Sequence, residues 1–158
     1  MEVFIERACL EDANALITVQ NVAFYDDFIA YGECPAYNES FNAMRDHIIT
    51  KIVYKIIAQD QIIGDIIIRP IGEGRYYIRV ISIKPEYQGK GIGKKAMQFI
   101  ESEITDAKEW ELITPFKSYR NHHFYEKLGF QKIDQYKHSD VLTMFVYKKS
   151  LMSKPEVL

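Results

Sequence analysis

The sequence predicts one α/β (α+β) domain with a mixed, mostly antiparallel sheet of six to seven strands flanked by helices. Two observations predict this class. Three strand-like runs follow one another in the middle of the chain, and strand-like and helix-like periods alternate before and after them. The chain has 158 residues, of which 47% are apolar, and this suits one core. We therefore assign residues 1–150 to a single domain and residues 151–158 to a C-terminal tail.

The N-terminal half of the chain is expected to hold two helices and four strands, three of them in an antiparallel meander. The strands are predicted at residues 3–6, 54–58, 62–69 and 76–83, and the helices at residues 11–24 and 39–49. Gly32 and Pro35 break the periodicity between the two helices. We therefore expect residues 25–38 to be irregular.

The C-terminal half is expected to alternate between helix and strand and to close with a hairpin. Helices are predicted at residues 91–104 and 118–128, and strands at residues 109–116, 130–136 and 141–148. Gly129 stands where a helix commonly ends in the left-handed conformation. The helices are expected to pack on the sheet, and the exposed strand edges are compatible with a homodimer.

Composition excludes several classes of protein. Twenty Lys and Arg residues against 22 Asp and Glu residues give a net charge of −2, which argues against nucleic acid as a partner. Cys9 and Cys34 are too few for a disulfide framework. The N-terminus lacks the pattern of a signal peptide, and no apolar run approaches the roughly 18 residues of a membrane span. We expect a soluble cytoplasmic protein without a membrane partner.

A glycine-rich loop between a strand and a helix is the most informative segment. It carries Gly89, Gly91 and Gly93, together with Lys90, Lys94 and Lys95. Glycines at the start of a helix let an anion approach unpaired backbone N–H groups. Lysines there oppose the helix dipole by about 0.3–1 kcal/mol each, unless an anion binds. The loop thus predicts a phosphate site, and the alternative is a tight turn with solvated lysines.

Two nucleotide motifs can be compared with this loop. A Walker loop needs Ser or Thr after its lysine, and Lys95 follows Lys94 here, so that motif is excluded. Residues 91–96 fit the dinucleotide fingerprint G-x-G-x-x-G/A, and Glu111 lies about 20 residues further on. Three predicted antiparallel strands before the loop argue against a doubly wound sheet. A dinucleotide-binding enzyme of the NAD type stays open as an alternative.

Two segments together resemble one family. Residues 88–93, QGKGIG, resemble the Q/R-x-x-G-x-G/A pyrophosphate loop of the GNAT-type N-acetyltransferase superfamily. Residues 121–130, NHHFYEKLGF, resemble its second signature, a helix ending in Tyr-x-x-x-Gly-Phe. The resemblance covers residues 50–148 and implies the GNAT-like acyl-CoA N-acyltransferase fold. It also implies transfer of acetyl from acetyl-CoA to a primary amine of a small-molecule or peptide acceptor. A non-catalytic coenzyme A-binding regulator is the other alternative.

The resemblance also implies roles for individual residues. The pyrophosphate would be held by the backbone of Gln88, Gly89, Lys90, Gly91, Ile92, Gly93 and Lys94. The pantetheine arm would lie along Ile81, Ser82 and Ile83, where a bulge splays this strand from residues 109–116. Backbone donors near Ile81 or Ser82 would stabilise the oxyanion. Tyr125 would be the catalytic acid that protonates the departing thiolate, and Asn121 would contact the cofactor.

The chain departs from the family pattern where the general base is expected. Arg79 stands near the place where many members have a glutamate, and Ser118 replaces a frequent asparagine. The base is therefore left open between a water chain and a carboxylate: Asp26, Asp27, Glu33 or Asp46. Cys34 has no paired histidine, which disfavours a covalent route. No histidine spacing indicates a metal site.

Overall fold

The computed structural model describes residues 1–151, and residues 152–158 of the predicted tail lie outside this part. Seven strands are present: β1 (Val3–Arg7), β2 (Ile52–Ala58), β3 (Gln61–Gly72), β4 (Arg75–Ile83), β5 (Glu109–Pro115), β6 (Gln131–Lys137) and β7 (Thr143–Ser150). Four α-helices accompany them: α1 (Ala13–Tyr31), α2 (Phe41–Thr50), α3 (Ile92–Glu103) and α4 (Tyr119–Lys127). Leu151, the first residue of the predicted tail, packs on the core, and its N–H donates to the Lys108 carbonyl at 2.9 Å.

The strands form one mixed sheet in the order β1-β2-β3-β4-β5-β7-β6. Among the strands of residues 1–151, only β4 and β5 run parallel, and all other neighbours are antiparallel. This confirms the predicted fold class and the meander of β2, β3 and β4. A doubly wound sheet, which the dinucleotide fingerprint normally accompanies, is not the architecture of residues 1–151.

Helices cover the two faces of the sheet and bury a core on each. On one face α3 packs with Ile92, Ala96, Met97 and Ile100, spaced at helical period and all buried. On the other face α1 and α2 bury a second cluster that includes Leu16 and Met44. Burial of one such large aliphatic side chain contributes about 1.5–3 kcal/mol. Within residues 1–151, no helix has the length and hydropathy that a membrane crossing requires.

Helix α1 is longer than the sequence analysis predicts. It continues beyond Phe24 to Tyr31 and ends at Gly32, which has a φ of +75° and whose N–H donates to the Phe28 carbonyl at 2.8 Å. The physical reason is that residues 25–31 contain neither Gly nor Pro, so nothing interrupts the helical hydrogen bonds before Gly32. The segment expected to be irregular thus contributes two helical turns. Gly129 adopts the predicted left-handed conformation, with a φ of +96°.

A bulge in β4 creates the opening in the sheet. Val80 pairs with Ile67 and Ile78 pairs with Ile68, so that Arg79 is an extra residue between them. The parallel pairing with β5 covers only residues 75–77 of β4 and ends there. Beyond this point the two strands separate. The splayed strands are therefore confirmed, whereas the bulge lies at Arg79, two residues before the segment 81–83 where it was predicted.

Candidate active site

The separated strands form the floor of a groove of about 1590 Å³. Its walls are β4, β5, α4, the C-terminal half of α1 and residues 33–36. We name the part formed by residues 85–94 the loop end, and the part formed by α1 and residues 33–36 the α1 end. The two ends are built differently.

Backbone groups form the loop end. Gly89 and Gly91 have φ values of +74° and +78°, and a Cβ at either position would meet no atom within 4 Å. The first helical hydrogen bond of α3 runs from the Lys95 N–H to the Gly91 carbonyl at 3.1 Å. Within residues 1–151, no group accepts a hydrogen bond from the amides of residues 89–94. These amides are free to bind an anion.

Gly93 serves packing as well. A Cβ here would lie 3.0 Å from the Phe124 Cζ and 3.7 Å from the Ile83 Cδ1. The missing side chain lets Phe124 of α4 lie directly on the start of α3. This contact closes the loop end from one side, a role that the motif alone did not reveal.

Nearly all predicted cofactor residues line the groove. They are Ile81, Ser82, Ile83, Gln88, Gly89, Gly91, Ile92, Gly93, Lys94 and Asn121. Lys90 is the exception, since its exposed side chain lies outside the lining. Asn121 Nδ2 donates to Thr114 Oγ1 on β5 at 3.4 Å. Arg120, which no sequence motif indicated, also lines the groove and donates to Gln88 Oε1 at 3.1 Å.

Along β4, every second residue directs its backbone N–H and C=O groups toward the gap between β4 and β5. The Lys84 N–H donates to the Ile63 carbonyl of β3 at 2.8 Å. Antiparallel pairing alternates, so the backbone of Ser82 also faces β3, whereas Ile81 and Ile83 face the gap. The Ile83 carbonyl accepts from Gln88 Nε2 at 2.9 Å. This corrects the expectation for Ser82, whose N–H is directed away from any oxyanion in the gap.

Tyr125 lies in the groove wall within an aromatic cluster. Its ring centroid is 5.2 Å from that of Phe124, 5.7 Å from that of Phe130 and 6.5 Å from that of Tyr147. Burial raises the pKa of Tyr125 to about 12. A thiol has an ordinary pKa of about 8.5, so full proton transfer to a free thiolate would cost about 5 kcal/mol. Tyr125 is therefore better suited to donate a hydrogen bond to the sulfur as negative charge develops on it than to transfer its proton fully.

A buried ionic network supports the α1 end. Glu39 Oε1 accepts from Arg79 Nη2 at 2.6 Å and contacts His47 Nε2 at 2.8 Å, while Oε2 accepts from Gln20 Nε2 at 2.8 Å. Burial opposes its charge, but the hydrogen bonds from His47, Gln20 and Arg79 lower the pKa of Glu39 to about 2. Lys51 Nζ lies 3.0 Å from His47 Nδ1, so Nδ1 accepts and Nε2 carries the proton. The network saturates Glu39 and anchors Arg79.

A second buried carboxylate lies beside the cofactor strand. Asp65 is fully buried, and its Oδ1 accepts from Ser82 Oγ at 2.5 Å. Burial raises the pKa of Asp65 to about 8. Asp65 does not line the groove, so it can act on the groove only through Ser82.

The structure separates the four carboxylates that the sequence left open as the base. Asp26, Asp27 and Glu33 line the groove, whereas Asp46 lies outside it and its Oδ2 is 3.9 Å from Lys51 Nζ. Glu33 accepts a short hydrogen bond from Ser139 Oγ. Burial and the neighbouring Asp26 charge raise the pKa of Asp27.

Cys34, the candidate nucleophile, and His122, a candidate metal ligand, are both held in the protein interior or partly buried. Burial raises the pKa of the Cys34 thiol, which keeps it protonated. His122 is buried, with Nε2 2.9 Å from the Pro115 carbonyl and its ring stacked on Phe145. Across residues 1–151, no group of three or more His, Cys, Asp or Glu side chains could hold a metal ion.

Comparisons with known proteins agree with this geometry. The acetyltransferase (GNAT) domain model matches residues 50–132. The uncharacterized protein YrkN of Bacillus subtilis is 30% identical over 132 residues, which are 80% of this chain and 66% of YrkN. The chain thus aligns with less than two thirds of that relative.

Solved structures share the fold. A PaiA N-acetyltransferase from Thermoplasma acidophilum in complex with coenzyme A has a TM-score of 0.79 and 21% identity, covering 96% of this chain and all of that one. The ribosomal-protein-S18-alanine N-acetyltransferase of Escherichia coli has a TM-score of 0.74 and 14% identity, covering 99% of each chain. A GNAT family acetyltransferase from Elizabethkingia anophelis with acetyl-CoA bound has a TM-score of 0.68 and 16% identity, covering 94% of this chain and 98% of that one. With the family model matching more than half of its residues, this chain belongs to the GNAT acetyltransferase family.

Proposed function

We propose that this protein is an N-acetyltransferase that moves an acetyl group from acetyl-CoA to a primary amine by direct attack. The observation that carries the proposal is the row of free amides at residues 89–94, which opens directly into the gap between β4 and β5. A diphosphate suits the amides, and an extended arm suits the backbone of Ile81 and the N–H of Ile83, which face the gap. The acceptor is a small molecule or a peptide that enters at the α1 end.

The reaction follows from this placement. The amine nitrogen attacks the thioester carbonyl carbon, a C–N bond forms, and the C–S bond then breaks. The Ile81 N–H is directed toward the gap and is suited to stabilise the oxyanion. The ammonium acceptor loses two protons: one goes to a base, and the other to the coenzyme A thiolate with help from Tyr125. Placement of both reactants in one groove contributes much of the acceleration.

A melting comparison with acetyl-CoA and NAD⁺ tests the cofactor. A ligand at 100 times its Kd stabilises the protein by about 2.7 kcal/mol, and we expect a rise in Tm of about 5–10 °C with acetyl-CoA alone. A rise with NAD⁺ alone would contradict the proposal and favour a dinucleotide enzyme.

A turnover assay separates the enzyme from a coenzyme A-binding regulator. Acetyl-CoA is mixed with spermidine, L-lysine or an alanine-initiated pentapeptide, and release of the coenzyme A thiol is followed. We expect transfer to at least one of these amines, with the acetylated product identified by mass spectrometry. A melting shift without transfer to any of them would support the regulator instead.

A further inference from the structure

The C-terminal half of α1 presents one face to the groove. Five residues at helical spacing form it: Ala23, Phe24, Asp27, Ala30 and Tyr31. Asp27 lies at the centre of this face and is partly buried, whereas Asp26 lies at its edge and is exposed. The face exists because α1 continues to Tyr31. A carboxylate therefore projects from an otherwise largely apolar wall.

Asp27 has no partner of its own. Among residues 1–151, no side chain or backbone group makes a hydrogen bond or ion pair with its carboxylate. Glu39 is saturated by its own network, and Glu33 is held by Ser139. A partly buried carboxylate without a partner is costly, and an incoming cation would remove that cost.

Several titratable or charged groups line the groove at its α1 end together with Asp27. They are Asp26, Tyr31, Glu33, Cys34, Lys51, Arg69, Tyr77 and Arg79. Arg79 is paired with Glu39, and the Arg69 guanidinium lies 5.3 Å from the centroid of the Tyr77 ring. Burial raises the pKa of the Cys34 thiol, and the charge of Asp27 raises it further. Lys51 Nζ contacts His47 Nδ1 at 3.0 Å, and neither Lys51 nor either arginine makes an ion pair with Asp27.

We infer that Asp27 is the catalytic base, which binds the acceptor's ammonium group and accepts its first proton. The inference rests on the proposed function. The ammonium N–H bond breaks and its proton moves to the Asp27 carboxylate, while the freed lone pair forms the C–N bond. The second N–H proton leaves with the coenzyme A thiol, and Asp27 returns its own proton to solvent. Without help, a lysine-like amine is about 0.04% neutral at pH 7, so this step supplies the reactive form.

The pH profile of kcat/KM tests the role of Asp27. The assay uses acetyl-CoA with the fastest of spermidine, L-lysine and the alanine-initiated pentapeptide. The wild type is expected to hold a plateau between about pH 6.5 and pH 8.5, because the carboxylate takes up the proton. In Asp27→Asn only the free amine reacts, so kcat/KM should rise tenfold per pH unit and lie about 10²-fold lower at pH 7.

Matched variants separate this role from a structural one. Asp27→Glu retains the carboxylate and should restore the plateau to within about tenfold of the wild type. Asp46→Asn removes a carboxylate outside the groove and should leave the profile unchanged. Both Asp27 variants should retain the acetyl-CoA melting shift. A plateau of wild-type height in Asp27→Asn would overturn the role of Asp27 and leave the proposed function standing. Absence of transfer by the wild type would overturn the proposed function, and the base with it.

Discussion

The loop end and the α1 end of the groove are built from different parts of the protein chain. At the loop end, contiguous residues 89–94 offer backbone amides, and two glycines hold them open. At the α1 end, side chains from α1, β4 and the segment before α2 meet, as in the Glu39–Arg79 pair that joins residues 40 positions apart. The difference shows that the loop end is built from local backbone, which a short motif encodes, whereas the α1 end is built from side chains that only the fold brings together.

The largest effect is expected from Asp65, beside the strand that joins the two ends. Its pKa of about 8 in the folded protein lies above its ordinary value of 3.8. Unfolding at any pH between these two values therefore releases a proton from Asp65. The stability from this group is present at low pH and is lost as the pH rises toward 8, by up to about 6 kcal/mol. Asp65→Asn lacks this loss. Its free energy of unfolding, relative to that of the wild type, should therefore be higher at pH 9 than at pH 5.

Chemical denaturation at pH 5 and pH 9 measures the Asp65 effect. Asp60→Asn, in the exposed β2–β3 turn, is the control and should follow the wild type at both pH values. If Asp65→Asn and the wild type lose stability in parallel, the carboxyl is ionised throughout this range and the assignment is wrong.

Next in size is the effect of Tyr125→Phe. Loss of the hydroxyl should lower kcat by about 10²-fold, the usual worth of a general acid. Affinity for acetyl-CoA should stay nearly unchanged, because the aromatic packing with Phe124 and Phe130 remains. Steady-state kinetics and calorimetric binding check the two parts, with Tyr136→Phe on the exposed strand β6 as the control. Wild-type kcat in Tyr125→Phe would remove the proposed role.

Gly91→Val should damage the loop end selectively. A valine at a φ of +78° costs about 1–2 kcal/mol, and its side chain would cover the amides proposed to bind the diphosphate. We expect coenzyme A to bind at least about tenfold more weakly by calorimetry. Gly72→Val, at a φ of +92° in the β3–β4 turn, introduces similar strain away from the groove. Equal loss of coenzyme A affinity in both variants would mean that strain alone is responsible.

The smallest effect is expected from the lysines beside the loop. Lys94 lines the groove, whereas the neighbouring exposed Lys95 does not. Lys94→Ala should weaken coenzyme A binding by about two- to fivefold at low salt, and Lys95→Ala should not. Binding titrations in 50 mM and 500 mM NaCl check this, because screening should remove the difference. A larger effect of Lys95→Ala would contradict the observed direction of these side chains.

Prediction from sequence succeeded where contiguous residues carry the signal. The strand alternation from residue 52 onward and the apolar spacing of α3 both follow from local patterns, and the structure confirms them. The predicted end of α1 at residue 24 was wrong, because the aromatic and acidic residues at positions 25–31 have no strong local preference for helix or loop. That error concealed the groove face of α1, so Asp27 remained one of four carboxylates without a distinguishing feature.

The sequence alone determined the glycine-rich loop, because the φ freedom of glycine and the free amides of a helix start belong to neighbouring residues. It also determined the meander and the two family signatures. Folding was needed to saturate Glu39 with Gln20, His47 and Arg79 and, among residues 1–151, to leave Asp27 unpaired in the groove wall. The physical reason is that a carboxylate's chemistry depends on burial and on neighbours from distant elements, and only folding brings these together.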